Sequence, residues 1–126
     1  MKRIVIAIDD EKNILQVIKI ELESSGYEVV TETTGEAGLV AIEEYVRRDR
    51  KSVVAVLLDL MLTDMPGLEV LRQIKSLAPD MPVFMVTGVD DEAEAKRAIA
   101  AGAFDYITKP IDFDYLLNVV NLQSGV

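Results

Sequence analysis

A three-layer α/β fold, with a five-stranded parallel sheet covered by five helices, is the class this chain predicts. Two observations carry it. Short runs rich in branched apolar residues alternate with helix-period segments from end to end. The runs are apolar at nearly every position rather than at alternate ones, as in strands buried on both faces. A third observation lies at the ends of these runs. Asp9 and Asp10 close the first, Asp59 the third and Lys109 the fifth. Ligands of open α/β sheets bind outside the carboxyl ends of the strands, so these four charges are expected to share one crevice.

The first strand is expected over 3–8. A helix follows over 13–25, where Ile14, Val17, Ile18 and Leu22 recur at helical spacing before Gly26 stops it. The second strand, 27–31, is weaker and more polar, as suits a sheet edge. Thr33-Thr-Gly-Glu36 reads as a capping box for a helix over 35–47. The third strand is 53–58, and after a loop Pro66 suits the first position of a helix carrying Leu68, Leu71, Ile74 and Leu77. Residues 83–86 form the fourth strand, ending at Thr87. The fourth helix spans about 91–101, with Glu92 and Lys96 paired at i,i+4. Gly102 ends it, 104–108 is the fifth strand, and Asp112 caps a last helix bearing Leu116, Leu117, Val119 and Val120. Right-handed crossovers between these strands give a parallel sheet.

The 126 residues are enough for one domain spanning 1–126, and the 50% hydrophobic content argues against disorder. No apolar stretch reaches membrane-spanning length, and the start Met-Lys-Arg-Ile-Val lacks a signal-peptide layout, so a cytoplasmic protein is expected. Cysteine and histidine are both absent, which excludes disulfides, Ser-His or Cys-His catalysis, and metal sites built on imidazole. The net charge of −9 argues against direct nucleic-acid binding. The one basic cluster, Arg47-Arg48-Asp49-Arg50-Lys51, suits a solvated helix C-terminus.

Dinucleotide and flavin sites need glycines after the first strand so that backbone amides can hold phosphate. This chain has Asp9-Asp10-Glu11-Lys12 there, which repels a bare anion. Carboxylates so clustered must hold protons or bind a cation, and magnesium suits one or two carboxylates, waters and a phosphate oxygen. Asp59 follows six apolar residues and precedes Leu60-Met61-Leu62, so its charge is positioned and partly desolvated. A carboxylate in that setting can act as a nucleophile toward phosphorus. Lys109 offers a counter-charge and Thr87 a hydroxyl donor, which together fit phosphoryl transfer.

At these residues the chain closely resembles the receiver domain of bacterial two-component response regulators. The matching pieces are Ile8-Asp9-Asp10-Glu11, Leu58-Asp59-Leu-Met-Leu62 with Pro66-Gly67, Val86-Thr87-Gly88, and Gly102-Ala-Phe-Asp-Tyr-Ile-Thr-Lys-Pro110. The resemblance implies a flavodoxin-like sheet of strand order 2-1-3-4-5 and a signalling switch rather than a turnover enzyme. It makes Asp59 the phosphoacceptor for a sensor histidine kinase or phosphotransfer protein. It assigns magnesium, with manganese as an alternative, to Asp10, Asp59 and the main-chain carbonyl of Met61, with Asp9 acting through water. Thr87 and Lys109 are implied to contact the phosphoryl oxygens, and Tyr106 matches the family's switch aromatic. A cis Lys109–Pro110 bond and a homodimer through the last two helices and the strand between them are also implied. Met61 and Val89 occupy the positions that line the path of attacking water, and both are apolar, so slow self-dephosphorylation is expected.

Two departures from the family pattern stand out. Thr63 occupies a position where many receivers have proline, which predicts a more mobile loop. The acidic pair and Asp59 lie slightly farther apart than usual, and the extra length is expected around residues 45–52. Two other readings of the same residues are an aspartate-nucleophile phosphatase and a degenerate receiver that only binds partners. The phosphatase requires a second aspartate at position 61, which is Met here, and the degenerate receiver is expected to lack part of the site, which is complete. A stand-alone regulator and the receiver of a longer protein both remain open, since Gln-Ser-Gly-Val126 follows the last helix and 102–115 resembles receivers of multidomain transcriptional activators.

Overall fold

Successive side chains of a strand point to opposite faces, so a strand apolar at every position needs cover on both sides. The computed structural model, which describes residues 2–125 apart from the side chain of Val89, provides it. Among these residues the strands are β1 (Ile4–Ile8), β2 (Glu28–Glu32), β3 (Val53–Asp59), β4 (Val83–Thr87) and β5 (Asp105–Thr108). The helices are α1 (Lys12–Glu23), α2 (Gly35–Asp49), α3 (Gly67–Leu77), α4 (Glu92–Ala100) and α5 (Phe113–Ser124). All strand pairs are parallel, in the order β2-β1-β3-β4-β5. This is the expected flavodoxin-like arrangement, with the more polar β2 at one edge.

Residue parity sorts the core into two layers. Ile4, Ile6 and Ile8 of β1 join Val56, Leu58, Val83 and Met85 beneath α2, α3 and α4, where Ile42, Leu71, Ile74 and Ala98 meet them. Val5 and Ala7 join Ala55, Leu57, Phe84 and Val86 on the other face, under Leu15, Ile18 and Leu22 of α1 and Leu116 and Val120 of α5. Since both faces are filled, a one-residue slip of a strand would exchange its two side-chain sets, and the register is strongly specified.

Two helix starts differ from the sequence expectation. The N-cap of α2 is Thr34, whose hydroxyl accepts from Ala37 N–H at 3.1 Å, so the box begins one residue later than Thr33 and Glu36 does not close it. The second cap comes from elsewhere in the chain: Asp64, in the β3–α3 loop, accepts from Gly35 N–H at 2.9 Å and Glu36 N–H at 3.0 Å. Pro66 is the extended N-cap of α3 rather than its first helical residue, because it pairs with Met61 in an antiparallel bridge. Over 45–52 the chain runs through the end of α2, which continues to Asp49, and a 3-10 turn over Arg50–Ser52, with Arg47 and Arg48 paired to Glu43 and Glu44 on the exposed face of the helix.

The start of α3 crosses the end of β3 so closely that only glycine fits. A Cβ on Gly67 would lie 2.5 Å from the Asp59 carbonyl oxygen and 2.7 Å from Leu60 Cα. Both neighbours are backbone, which cannot swing aside. Gly67→Ala is therefore expected to destabilise the protein by about 1–3 kcal/mol, seen as a lower urea midpoint with an unchanged m-value.

Candidate functional site

The parallel ladder brings the strand-end residues to one level. Ile8 stands opposite Leu58, Asp59 opposite Val86 and Thr87 opposite Thr108. Backbone bonds continue just past the strands, from Asp9 N–H to Glu32 C=O (3.1 Å), Leu60 N–H to Val86 C=O (3.2 Å) and Lys109 N–H to Thr87 C=O (2.7 Å). Asp9, Asp59, Thr87 and Lys109 thus share one edge of the sheet. The connection from β1 goes to β2, while β3 lies on its other side, so the crevice between β1 and β3 opens where Asp9 and Asp59 sit.

Lys109 links the carboxylates. Its Nζ lies 3.2 Å from Asp9 Oδ2, 3.4 Å from Asp59 Oδ2 and 3.5 Å from Glu11 Oε1. Asp9 and Asp59 are buried and Asp10 is half-buried. One oxygen from each of these three aspartates lies within 4.8 Å of the others. The free lone pairs are partly tied: Asp9 Oδ1 accepts from Glu11 N–H at 2.9 Å and Asp59 Oδ1 from Met61 N–H at 3.1 Å.

The electrostatics arise from crowding. Burial pushes the Asp59 carboxyl up to about 6, and Asp9 adds to the rise, while the Met61 N–H and Lys109 oppose it. Burial also pulls the Lys109 ammonium down, but Asp59, Asp9 and Glu11 outweigh it and hold Lys109 above the usual lysine value. Unit charges about 4 Å apart interact by about 4 kcal/mol at an effective dielectric near 20, so one lysine does not balance this cluster. The donor set consists of hard carboxylate oxygens, which fits Mg²⁺ or Mn²⁺ rather than a soft metal.

The remaining expected residues surround this centre. Thr87 is buried, and its hydroxyl donates to Gly88 C=O at 3.2 Å. Tyr106 stands opposite Met85 on β5, half-buried against the α2–α4 side of the core. Met61 turns its backbone inward and its side chain outward, where it is 62% exposed. The backbone of Val89 begins a 3-10 turn after β4, and its side chain lies outside the described residues. The Lys109–Pro110 bond is cis.

Sequence reasoning missed one member of the site and one tie on the loop that leaves it. Glu11 belongs to the first strand-end motif, but its spacing there implies no role, yet it is the third carboxylate on Lys109. Asp64 carries no local signal at all, because its partners lie 28 and 29 residues away. The amides of Gly35 and Glu36 hold its carboxyl below the ordinary aspartate value.

Comparison with known proteins converges on one family. The model of the response regulator receiver domain matches residues 5–121. The chain is 35% identical over 113 residues to the uncharacterized transcriptional regulatory protein YkoG of Bacillus subtilis, covering 90% of this chain and 47% of that protein. It is 32% identical over 114 residues to the transcriptional regulatory protein GlrR of Escherichia coli, covering 90% of this chain and 24% of that protein. The chain therefore spans half or less of the length of these relatives. A receiver domain protein from Clostridium thermocellum superposes with a TM-score of 0.86 at 33% identity, over 98% of this chain and 94% of that one. The Asp9, Asp10 and Asp59 cluster is consistent with the metal site typical of receivers.

A carboxyl raised in the folded state favours folding when protonated. That contribution is complete below the unfolded-state value near 3.8 and is lost as pH rises through about 6. Without divalent cations, Asp59→Asn is expected to be more stable than the parent at about pH 8, by on the order of 1–3 kcal/mol. Urea midpoints measured down to about pH 4 should show that advantage disappearing.

Proposed function

The chain belongs to the response regulator receiver family, and from that premise we propose that it is a phosphorylation-activated switch whose acceptor is Asp59. The observation that carries this is a buried strand-end carboxylate 3.4 Å from an ammonium and within metal-sharing reach of Asp9 and Asp10. As a receiver domain it is not a turnover enzyme. Residues 1–126 make one receiver domain, cytoplasmic in location, whose phosphoryl donor is a sensor histidine kinase or a phosphotransfer protein. Among the described residues no helix is long and apolar enough to cross a membrane.

Asp10, Asp59 and the Met61 carbonyl would hold Mg²⁺, or Mn²⁺ in its place, with Asp9 acting through a water. Bound there, the cation neutralises charge on the phosphoryl oxygens. An Asp59 oxygen forms a bond to phosphorus while the donor's nitrogen–phosphorus bond breaks, and the electron pair leaves with the imidazole. Lys109, already shared between Asp9 and Asp59, then pairs with a phosphoryl oxygen. The Thr87 hydroxyl exchanges its bond to the Gly88 carbonyl for a phosphoryl oxygen, and Tyr106 turns into the space it leaves. Phosphorylation so favours one of two pre-existing conformations.

Surface features support the partners. Beside Lys109 an apolar cleft of about 250 Å³ is lined by Ile14 and Val17 of α1 and by Pro110, Ile111 and Phe113. It suits the apolar face of a helix that carries the donor histidine. On the α4–β5–α5 side, Ile99, Phe104 and Tyr115 are exposed and offer apolar contacts for a homodimer of the activated form.

Incubation with a small phosphodonor and magnesium is expected to add one phosphoryl group to the wild type and none to Asp59→Asn, by intact mass. Neither Met61 nor Val89 offers a polar group to orient attacking water, so the phosphoryl group should persist for minutes or longer. An unmodified wild type would contradict the switch, and loss of the group within seconds would contradict the slow-decay reading alone.

A further inference from the structure

The loop that joins β3 to α3 leaves the sheet at Asp59 and carries Met61, whose carbonyl is assigned to the cation above. Its base is closed by several bonds. Met61 N–H returns to Asp59 Oδ1 at 3.1 Å, Gly67 N–H donates to Leu60 C=O at 2.9 Å, and Met61 bridges Pro66. The tip needs another restraint, since Thr63 leaves φ free where a proline would fix it. That restraint is Asp64. Both of its carboxylate oxygens are bonded, one to Gly35 N–H at 2.9 Å and one to Glu36 N–H at 3.0 Å. These are amides of the first turn of α2, which have no partner within the helix.

The seat for this contact is built from a second direction. A Cβ on Gly35 would lie 2.7 Å from Met65 Cγ and 2.8 Å from Val70 Cγ2. The missing side chain lets Met65, the residue after Asp64, lie against the helix backbone. Loop tip and helix start are thus fitted to each other both by polar bonds and by shape. The expected mobility of this loop is opposed by a bidentate cap that local sequence does not reveal.

We propose that Asp64 is a positioning residue for the cation site: by capping α2 it holds the β3–α3 loop, and with it the main chain of Met61, in place for the metal. This rests on the cation reading given above. The consequence is specific. α2 has two side-chain caps, Thr34 and Asp64, and only the second reaches the loop. Loss of either weakens the helix, but only loss of Asp64 releases the tip.

Calorimetric titration of the full chain with Mg²⁺ separates the two effects. Asp64→Ala is expected to raise the Mg²⁺ dissociation constant by about tenfold, the size seen when an outer support of a metal ligand is removed. Asp64→Asn keeps one acceptor and should fall between, and it decides the matter should the alanine variant not fold. Thr34→Ala removes the other cap and should bind Mg²⁺ as the wild type does. Wild-type affinity in a folded Asp64 variant would overturn the proposal. An equal loss in Thr34→Ala would also overturn it, by tracing the effect to the stability of α2. Failure of the wild type itself to bind Mg²⁺ would instead overturn the cation reading beneath it.

Discussion

One ammonium group, Lys109 Nζ, stands within 3.5 Å of the side chains of Asp9, Asp59 and Glu11, and the site is organised around that shared contact. Like charges this close repel strongly when partly removed from water. The fold nevertheless holds Asp9 and Asp59 buried, with Asp10 beside them. It does so because their backbones are fixed by the parallel ladder, whose strands are buried on both faces and do not slip. The sheet thus stabilises a cluster that its own side chains do not neutralise. A surplus of negative charge is left at the crevice mouth, ready for a divalent cation or, at lower pH, for a proton.

The same constraint explains why so much backbone lies close to Asp59. Its Oδ1 takes the Met61 amide, its carbonyl lies against Gly67, and the loop between them is tied to α2 through Asp64. Each contact removes freedom from the segment that carries Asp59. A preorganised site loses little in ordering when ligand arrives, so binding energy goes into shifting conformation instead. Among the described residues the Thr87 hydroxyl has a single hydrogen bond, to the next residue's carbonyl, and Tyr106 is half-buried.

Much of this was legible in the sequence. The strands were visible because β1, β3 and β4 are apolar at every position up to Ile8, Leu58 and Val86, and the site residues were visible because they end those runs. Helix starts were less so. Thr33 and Thr34 are equally good caps by type, and the choice between them depends on where α2 meets the loop. Pro66 suits a first helical turn, but its bridge to Met61 keeps it extended. Asp64 and Glu11 were the hardest, since each acts on residues far away in the chain, 29 positions in one case and 98 in the other. Local patterns encode elements and their ends; contacts between loops appear only once the sheet order has brought those ends together.

The surplus of carboxylates over Lys109 is tested most directly by the linkage between Mg²⁺ and stability. Urea midpoints would be measured at neutral pH over a series of Mg²⁺ concentrations, for the wild type and for Asp59→Asn. Cation that binds only the folded cluster must raise stability as the ratio of its concentration to the dissociation constant grows, by about 2.7 kcal/mol at a hundredfold ratio. The expected result is a midpoint that climbs with Mg²⁺ in the wild type and far less in Asp59→Asn. Equal slopes in the two proteins, or none in either, would contradict the view that Asp59 completes a cation site.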